Sequence, residues 1–520
     1  MYELITLNNQ FLNLDVLDEE NLIKKECGFT GSNATLLKGK DKSYLFTDRR
    51  YELQAKEEVK GKNIEVVFDK IRYWLLDNNP QEKVYYNPWC HSIAEVQSFP
   101  NNFVAKGKEP IYKIDNEAFE YDVEYAGVIA CKKVFDFREF LEKQNLDAYI
   151  ITEPTDLSWL LNIRSSVLPH TPAYRAFGVV NKDGVVQLFN HPRQMKKYKK
   201  VGLWEEDTPA IFKKYVKNYT NIKSSIFWSK AKKNDIEVRN SKEAHIKDGV
   251  AITKLLYWIY NNKKSKTEFE VAEKLHKIRE KQDGFFSESF ASIIASGKNS
   301  AVPHYQPTKE KSEKVAKDML LMDVGSHFFG GTTDMTRTIS LGKPTLEQIK
   351  HFTLVLKGHI NLATQKFNKS YSGRQLDILA RSPLLNEGLD YNHGTGHGVG
   401  NFLGVHEAPS ISKNGQSSLM AKNMIFSIEP AVYFENKYGI RIENLYVVKE
   451  NKEEIMSFEP LTFVPIDNSL IDINSLTDKE KTFVFNYQKE VYKKLEKFLN
   501  DKEKAWLASY ISFNVVNIQS

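Results

Sequence analysis

Residues 318–342 read DMLLMDVGSHFFGGTTDMTRTISLG. The apolar runs around Leu320–Met322 and Met335–Leu341 flank Gly330-Gly331, the pattern of two strands folded at a turn. A hairpin folded at 328/329 sets Asp323 opposite Asp334, because each lies equally far from the fold, and cross-strand partners approach to ~5 Å. Two carboxylates facing each other in an apolar strand pair are costly unless something positive neutralises them. The rival account, two solvated loop aspartates, leaves the crowding of Leu320, Leu321, Met322 and Val324 around Asp323 unexplained.

The same geometry recurs further along. MIFSIEPAVYF and GIRIENLYVV are strand-like runs around ENKYG, and folding at Asn436 brings Glu429 opposite Glu443. Arg441, two residues from Glu443, falls on the same strand face and can bind or orient these acids. Arg337 fits that role equally with a salt bridge inside the first hairpin. Between the hairpins lies HGTGHGVGNFLGVHEAP, with His393, His397 and His406 in glycine-rich backbone able to approach a ligand closely. One imidazole and four carboxylates form a hard, oxygen-rich ligand set that suits manganese or cobalt better than a thiolate-seeking metal. Four carboxylates carry four negative charges, which two divalent ions balance and one does not. Two such ions can share a hydroxide and polarise a carbonyl.

The remaining sequence bounds the setting. At 520 residues the chain exceeds a single core and implies about three domains. Its 73 basic and 67 acidic residues are dispersed, so the surplus of +6 reads as solvated surface, not a nucleic-acid groove. Cys27, Cys90 and Cys131 are widely spaced and odd in number, which excludes a disulfide framework and a CxxC knuckle. The opening MYELITLNNQ lacks a signal pattern and no apolar run approaches the ~18 residues that span a bilayer, so the expectation is a cytoplasmic protein without membrane attachment.

Residues 1–122 mix strand-like runs (SYLFTD, NIEVVF, KVYYN) with the helical YELQAKEEV. A second unit of the same kind, 123–235, opens with the helix FDFREFLEKQN and the strand AYIIT. Lys40-Asp41 before Leu45-Phe46, and Lys182-Asp183 before Leu188-Phe189, read as one turn and strand used twice. WSKAKKNDIEVRN, 228–240, reads as a linker, with Asn240 or Ser241 capping a helix that buries Ile246, Val250, Leu255 and Ile259. His245, near its start, reads as a satisfied helix histidine. A glycine-punctuated unit runs to 466, and 467–520 reads as a Lys-rich amphipathic helical extension through Val491 and Leu495 that docks on it.

Taken together, DVGSHFFGGTTDMTRT, HGTGHGVGNFLGVHEAP, SIEPAVYF and GIRIENLYVV resemble the aminopeptidase P (Xaa-Pro aminopeptidase) family of pita-bread metallopeptidases. CGFTGSNATLLKGKDKSYLFTDRRYELQA and DAYIITEPTDLSWLLNIRSS resemble the first two domains of its three-domain form. The resemblance implies an α/β (α+β) chain with two creatinase-N-like α/β domains, a pita-bread catalytic domain over 236–466, and the helical extension packed on it. It implies hydrolysis of peptides with proline in second position through a hydroxide bridging two divalent ions: manganese, with cobalt or zinc as alternatives. Asp323 would serve one ion, His397 and Glu429 the other, and Asp334 and Glu443 would bridge. His304 (in AVPHYQP), His393 and His406 would surround the substrate, Glu429 would double as acid-base group, and Arg441 would support the carboxylates. Taken singly, His304 can equally cap a turn before Pro307, and His406 can pair with Glu407 at the surface. Tyr305 and Phe402 lie near site histidines, although core packing explains both. A homodimer is the family habit. Ala431 and Val432 depart from a usual Gly and Tyr, Gly330 replaces a frequent Asp, and the first domain reads as shortened at its front. The alternatives are a prolidase-like Xaa-Pro dipeptidase and a metal-free binding protein of the same fold. A methionine aminopeptidase normally lacks the 230 preceding residues.

Overall fold

The computed structural model describes residues 1–512 apart from 13, 79, 111–114, 263 and 416–418. The chain divides into two compact units, Met1–Lys230 and Ala231–Ser520.

The first unit holds two mixed sheets. In one, Tyr2–Thr6 pairs antiparallel with Thr35–Gly39 and parallel with Val84–Tyr86. Period-two alternation sends Leu4, Leu37 and Phe46 to one face, against Ile71 and Leu75 of the helix Ile71–Asn78. Ile5, Leu36 and Leu45 go to the other, against Ile23, Cys27 and Ala55. In the second sheet the fully buried strand Ala148–Ile151 is central, and the helix Ala130–Lys143 lays Phe137 and Leu141 on it. The expected repeat is present as two antiparallel hairpins, Thr35–Gly39 with Ser43–Phe46 and Phe177–Asn181 with Val186–Phe189. Both turn at a Lys-Asp pair, where Asp is a turn-forming residue and Lys keeps its charge in water, while the flanking strands bury their apolar sides. Arg175 donates to both oxygens of Glu20 at 2.9 Å, with both side chains buried.

The second unit is built around the acid-bearing hairpins. Met319–Val324 pairs antiparallel with Met335–Ser340 and with Ile293–Ser296. A six-stranded sheet runs in the order Phe367–Asn368, Ile455–Pro460, Asn444–Glu450, Ile425–Ile428, Gly396–Gly398, Glu407–Ile411. Ala431–Phe434 and Tyr438–Arg441 form a separate ribbon. Helices Leu346–Ala363 and Gly373–Leu385 cover these sheets through Phe352, Val355, Ile360, Leu376 and Ala380.

The long helix starts earlier than the sequence reading placed it. It spans Asp235–Asn261, and Asn234 caps it through a capping box with Glu237, so the second half of the supposed linker, from Asp235, is its first turns, and the first half ends the short helix Ile226–Ala231. Asn240 and Ser241 lie inside it and pack on the turn at Gly330-Gly331, where a side-chain carbon would sit 3.1 Å from Asn240 and 3.0 Å from the Ser241 backbone. Glycine permits that approach. Val250, Leu255 and Ile259 are buried as expected, and His245 donates from Nδ1 to the Ser241 carbonyl at 2.7 Å. At the other end Thr477 and Glu480 form a capping box for Asp478–Leu495, whose Val484, Tyr487, Val491 and Leu495 join the core around Phe352 and Ile440. The last stretch of the extension, 513–520, lies outside the described residues. No helix among the described residues is long and apolar enough to cross a membrane.

Candidate metal centre and active site

The second hairpin folds in the anticipated register. Ala431 faces Arg441 and Ile428 faces Asn444, so Glu429-Pro430 and Ile442-Glu443 form the break between two ladders, with Glu429 opposite Glu443. Proline has no N–H for a ladder, and the interruption points both acids the same way. The first hairpin folds one residue later than expected. Phe328 faces Gly331, which sets Asp323 opposite Thr336 and makes Asp334 its diagonal neighbour on the same side. The cause is the two-residue turn Phe329-Gly330, seated on the long helix as described above.

The two hairpins are stitched together. Glu443 N–H donates to the Thr336 carbonyl at 3.1 Å, Arg441 N–H donates to Thr338 Oγ1 at 3.1 Å, and Thr336 Oγ1 donates to Glu443 Oε2 at 2.7 Å. His397 reaches the acids from Gly396–Gly398. Its Nδ1 donates to the Gly398 carbonyl at 2.9 Å, leaving Nε2 with a lone pair 3.4 Å from Asp334 Oδ2 and 3.6 Å from Glu429 Oε1. Among the described residues, Asp334, His397 and Glu443 offer ligand atoms all within 4.8 Å of one another. Asp323 and Glu429 flank this triad. Arg441 Nη2 holds Asp323 Oδ2 at 2.5 Å, and Ser427 Oγ donates to Glu429 Oε1 at 3.3 Å.

The glycines near His397 serve the strands more than a ligand. A carbon added at Gly396 would lie 1.9 Å from the Ser427 carbonyl oxygen, and one at Gly398 would lie 2.5 Å from that of Glu407.

Electrostatically the cluster is incomplete as protein alone. Asp334 and Glu443 are buried, and burial together with the neighbouring carboxylates pushes both well above the usual carboxylate range; Glu429 is also raised. Among the described residues, Arg441 is the guanidinium that pairs with one of these four acids. Asp323 Oδ1 and Glu443 Oε1 are buried with no hydrogen-bond partner among the described residues. Such oxygens are stable when they meet a cation, so the donor set fits hard divalent ions.

The other expected site residues take distinct places. Burial and the nearby Arg441 hold His393 well below the ordinary imidazole range. Its Nδ1 donates to the Gly394 carbonyl at 2.7 Å, and its Nε2 lies 3.0 Å from the Tyr433 hydroxyl, which accepts from Arg441 Nη1. Both ring nitrogens are thus engaged within the protein. His304 lies near His393, one residue beyond Pro303, whose carbonyl faces Arg441 Nη2 at 3.5 Å. His406 is exposed and its ring stands 4.4 Å from that of His397, nearly perpendicular. Glu407, the next residue, pairs with Lys233 at 2.6 Å.

Tyr305 bonds Glu268 at 2.7 Å, and Phe402 is buried against Phe286 and Phe329, as core packing requires. Arg337 reaches no carboxylate among the described residues. It points to the opposite side of its strand and donates to the carbonyls of Thr336, Glu443, Val464 and Pro465, the Asn444 side chain and the Tyr487 hydroxyl. Sequence reading missed Tyr433 and Thr336. Strand alternation set Tyr433 on the face of Ala431, opposite Arg441, and that register was the available signal for it.

Four acids and an imidazole gathered from two facing hairpins and a glycine-spaced strand, inside a covered antiparallel sheet, define the class of pita-bread metallopeptidases. Comparison with known proteins narrows this. Residues 239–450 match the model for metallopeptidase family M24, 454–512 the C-terminal region of peptidase M24, and 108–282 the creatinase/prolidase N-terminal domain. Xaa-Pro aminopeptidase 1 of Dictyostelium discoideum is 32% identical over 93% of this chain and 89% of its own length. Xaa-Pro aminopeptidase app-1 of Caenorhabditis elegans is 32% identical over 94% of this chain and 92% of its own. The chain therefore belongs to the M24 metallopeptidases, in the Xaa-Pro aminopeptidase family. The crystal structure of the X-prolyl aminopeptidase of C. elegans, a cytosolic enzyme with a di-nuclear active site, superimposes with a TM-score of 0.92 at 29% identity, over 98% of this chain and 95% of that one. The prolidase of Pyrococcus horikoshii shares the fold at 22% identity and a TM-score of 0.53, covering 65% of this chain.

Proposed function

We propose that the chain is a metal-dependent aminopeptidase that releases the N-terminal residue from peptides with proline second, and that Asp323, Asp334, His397, Glu429 and Glu443 hold two divalent ions. The observation that carries this is the convergence of Asp334, His397 and Glu443 beside buried, unpartnered oxygens of Asp323 and Glu443. In this reading Asp334 and Glu443, the most buried of the four acids, would hold both ions. When bound, such a pair polarises a scissile carbonyl and makes water a nucleophile near neutral pH.

The protein's own groups do the rest. Arg441, kept charged by the surrounding acids, fixes one oxygen of Asp323 and the Tyr433 hydroxyl. Tyr433 in turn donates to His393 Nε2, so His393 stays neutral and holds its loop in register beside Glu429. His304 and His406 are assigned to the substrate, where donors are needed because charge develops on the carbonyl oxygen. Glu429 is assigned the proton transfer to the departing amine. Its Oε1 lies toward His397 and its Oε2 lies 3.9 Å from His393. Proline in second position has no amide hydrogen, so recognition must rest on ring shape and on the carbonyl.

The chain matches an aminopeptidase structure over 98% of its length and a prolidase over 65%, which favours the aminopeptidase over the Xaa-Pro dipeptidase. Five intact ligand candidates disfavour a metal-free binding role. The metal is proposed to be manganese on donor hardness, and a cytosolic location is proposed by analogy with the C. elegans enzyme. A homodimer is the family's assembly and is checked by light scattering.

The test uses protein stripped of metal and reloaded with Mn2+, Co2+ or Zn2+, assayed on tripeptides with Pro or Ala second and on the corresponding Xaa-Pro dipeptides. Pro-tripeptides should be cleaved at least about 10-fold better, the discrimination one apolar contact provides. Equal turnover of Ala-peptides refutes the specificity, and preference for dipeptides turns the assignment to prolidase.

A further inference from the structure

We infer that the buried ion pair Lys233–Glu407 positions His406, making Lys233 and Glu407 positioning residues of the active site. This rests on the proposed function, in which His406 meets the substrate.

Glu407 lies between two exposed residues, His406 and Ala408, yet its own side chain is 7% exposed and turned inward. There it meets Lys233 Nζ at 2.6 Å, on a side chain only 1% exposed. Lys233 is itself fixed. Its backbone N–H donates to the Asn423 carbonyl at 3.2 Å, and the Asn423 amide donates to Asp235 Oδ1 at 3.0 Å, at the start of the long helix. The pair therefore ties the residue after His406 to the capped start of the long helix Asp235–Asn261.

The strand carrying Glu407 needs such a tie. Gly396–Gly398 pairs with Glu407–Ile411 through a register break. His397 faces Ser410, whereas Gly398 faces Glu407, so two residues of the outer strand have no partner across it. An irregular edge of this kind does not by itself fix where its first residue lies. His406 sits immediately before the break, with its ring 4.4 Å from that of His397. A shift of Glu407 would carry His406 with it and alter its spacing from the proposed metal ligand.

Energetics separate positioning from simple stability. Replacing a buried ion pair with apolar residues of similar volume is often neutral or stabilising, whereas a charge-assisted bond at 2.6 Å constrains position more tightly than apolar contact. Stability alone therefore does not call for this pair. Removal of one partner, in contrast, strands a charge and is expected to destabilise.

The experiment compares wild type, Lys233→Met/Glu407→Met, Lys233→Arg, His406→Ala and the combination of the Met pair with His406→Ala, all loaded with Mn2+. Unfolding midpoint, bound manganese and kcat and KM on a Pro-tripeptide are measured. The Met pair should fold, bind as much manganese as wild type and lose about 10–100-fold in kcat, the range seen when an outer partner of a site group is lost. Lys233→Arg should recover part of kcat. In the His406→Ala background the Met pair should cost less than about 2-fold more, because both changes remove the same contribution. A folded, metal-replete Met pair with wild-type kcat overturns the inference, as does a full additional loss on top of His406→Ala. If His406→Ala itself leaves kcat/KM unchanged, the substrate role of His406 fails, and the inference fails with it.

Discussion

Asp334→Asn should make the metal-free protein more stable while making the metal-loaded protein less stable. Ligand atoms of Asp334 and Glu443 lie no more than 4.8 Å apart. If both are ionised, their repulsion at an effective dielectric of 20 is about 3.5 kcal/mol. The chain relieves part of this by protonation, since burial and the neighbouring carboxylates raise both groups well above the usual range. Asparagine carries no charge to repel, so at pH 7.5 in chelator the variant should gain about 2 kcal/mol. The sign with pH follows from linkage. An acid whose folded pKa is raised costs stability as pH climbs above its unfolded value of about 3.9, so the advantage of Asn should shrink toward pH 4. Added manganese reverses the order. Wild type should gain about 2.7 kcal/mol at a hundred times its dissociation constant, and the variant should gain less and lose turnover. Urea unfolding with chelator and with Mn2+, at pH 4.5 and 7.5, measures all four states. A metal-free variant less stable than metal-free wild type would refute the account of this cluster as carboxylates awaiting cations.

Arg337→Met should cost more than about 4 kcal/mol in urea unfolding, because it orphans several buried carbonyls at once; a loss below about 2 kcal/mol would contradict this. Gly396→Ala, whose new carbon would meet the Ser427 carbonyl oxygen at 1.9 Å, should displace His397 and weaken manganese binding at least about 10-fold by chelator competition. An unchanged affinity would show that the strand yields elsewhere. Burial alone would raise Glu480, but Lys357 at 2.8 Å and the Thr477 cap hold it below the ordinary value, so it contributes stability above about pH 4.3 that is lost as pH falls further. Glu480→Gln should cost about 1 kcal/mol at pH 7 and little near pH 3, where equal losses at both would speak against the ion pair.

The parts of this protein legible from sequence are those in which a short local rule acts without competition. The hairpin at Asn436 has polar residues at its fold and strand-like runs on either side, and its register came out as read, although the break at Glu429-Pro430 was not anticipated. The hairpin at Phe329-Gly330 was displaced by one residue because its position is decided by contact with Asn240 and Ser241, some ninety residues earlier. No local rule carries that information. The start of the long helix was missed for a related reason. KAKKNDIEVRN is charged enough to read as linker, yet the capping box at Asn234 and Glu237 was present in it and outweighs composition.

Arg337 and Arg441 show the deeper limit. Both are arginines beside acids on antiparallel strands, and both are buried. One turns to carbonyls under the C-terminal helix and supports the fold; the other turns to Asp323 and Tyr433 and supports the site. Their difference lies in which side of a strand faces the acids, and so in register parity. Shifting either strand by a single residue would turn its own arginine to the other side. The cluster of carboxylates is therefore specified twice, by the proposed ligand residues themselves and by the turns that set parity. A turn variant that slips the register by one residue should remove metal binding with every ligand still in the chain.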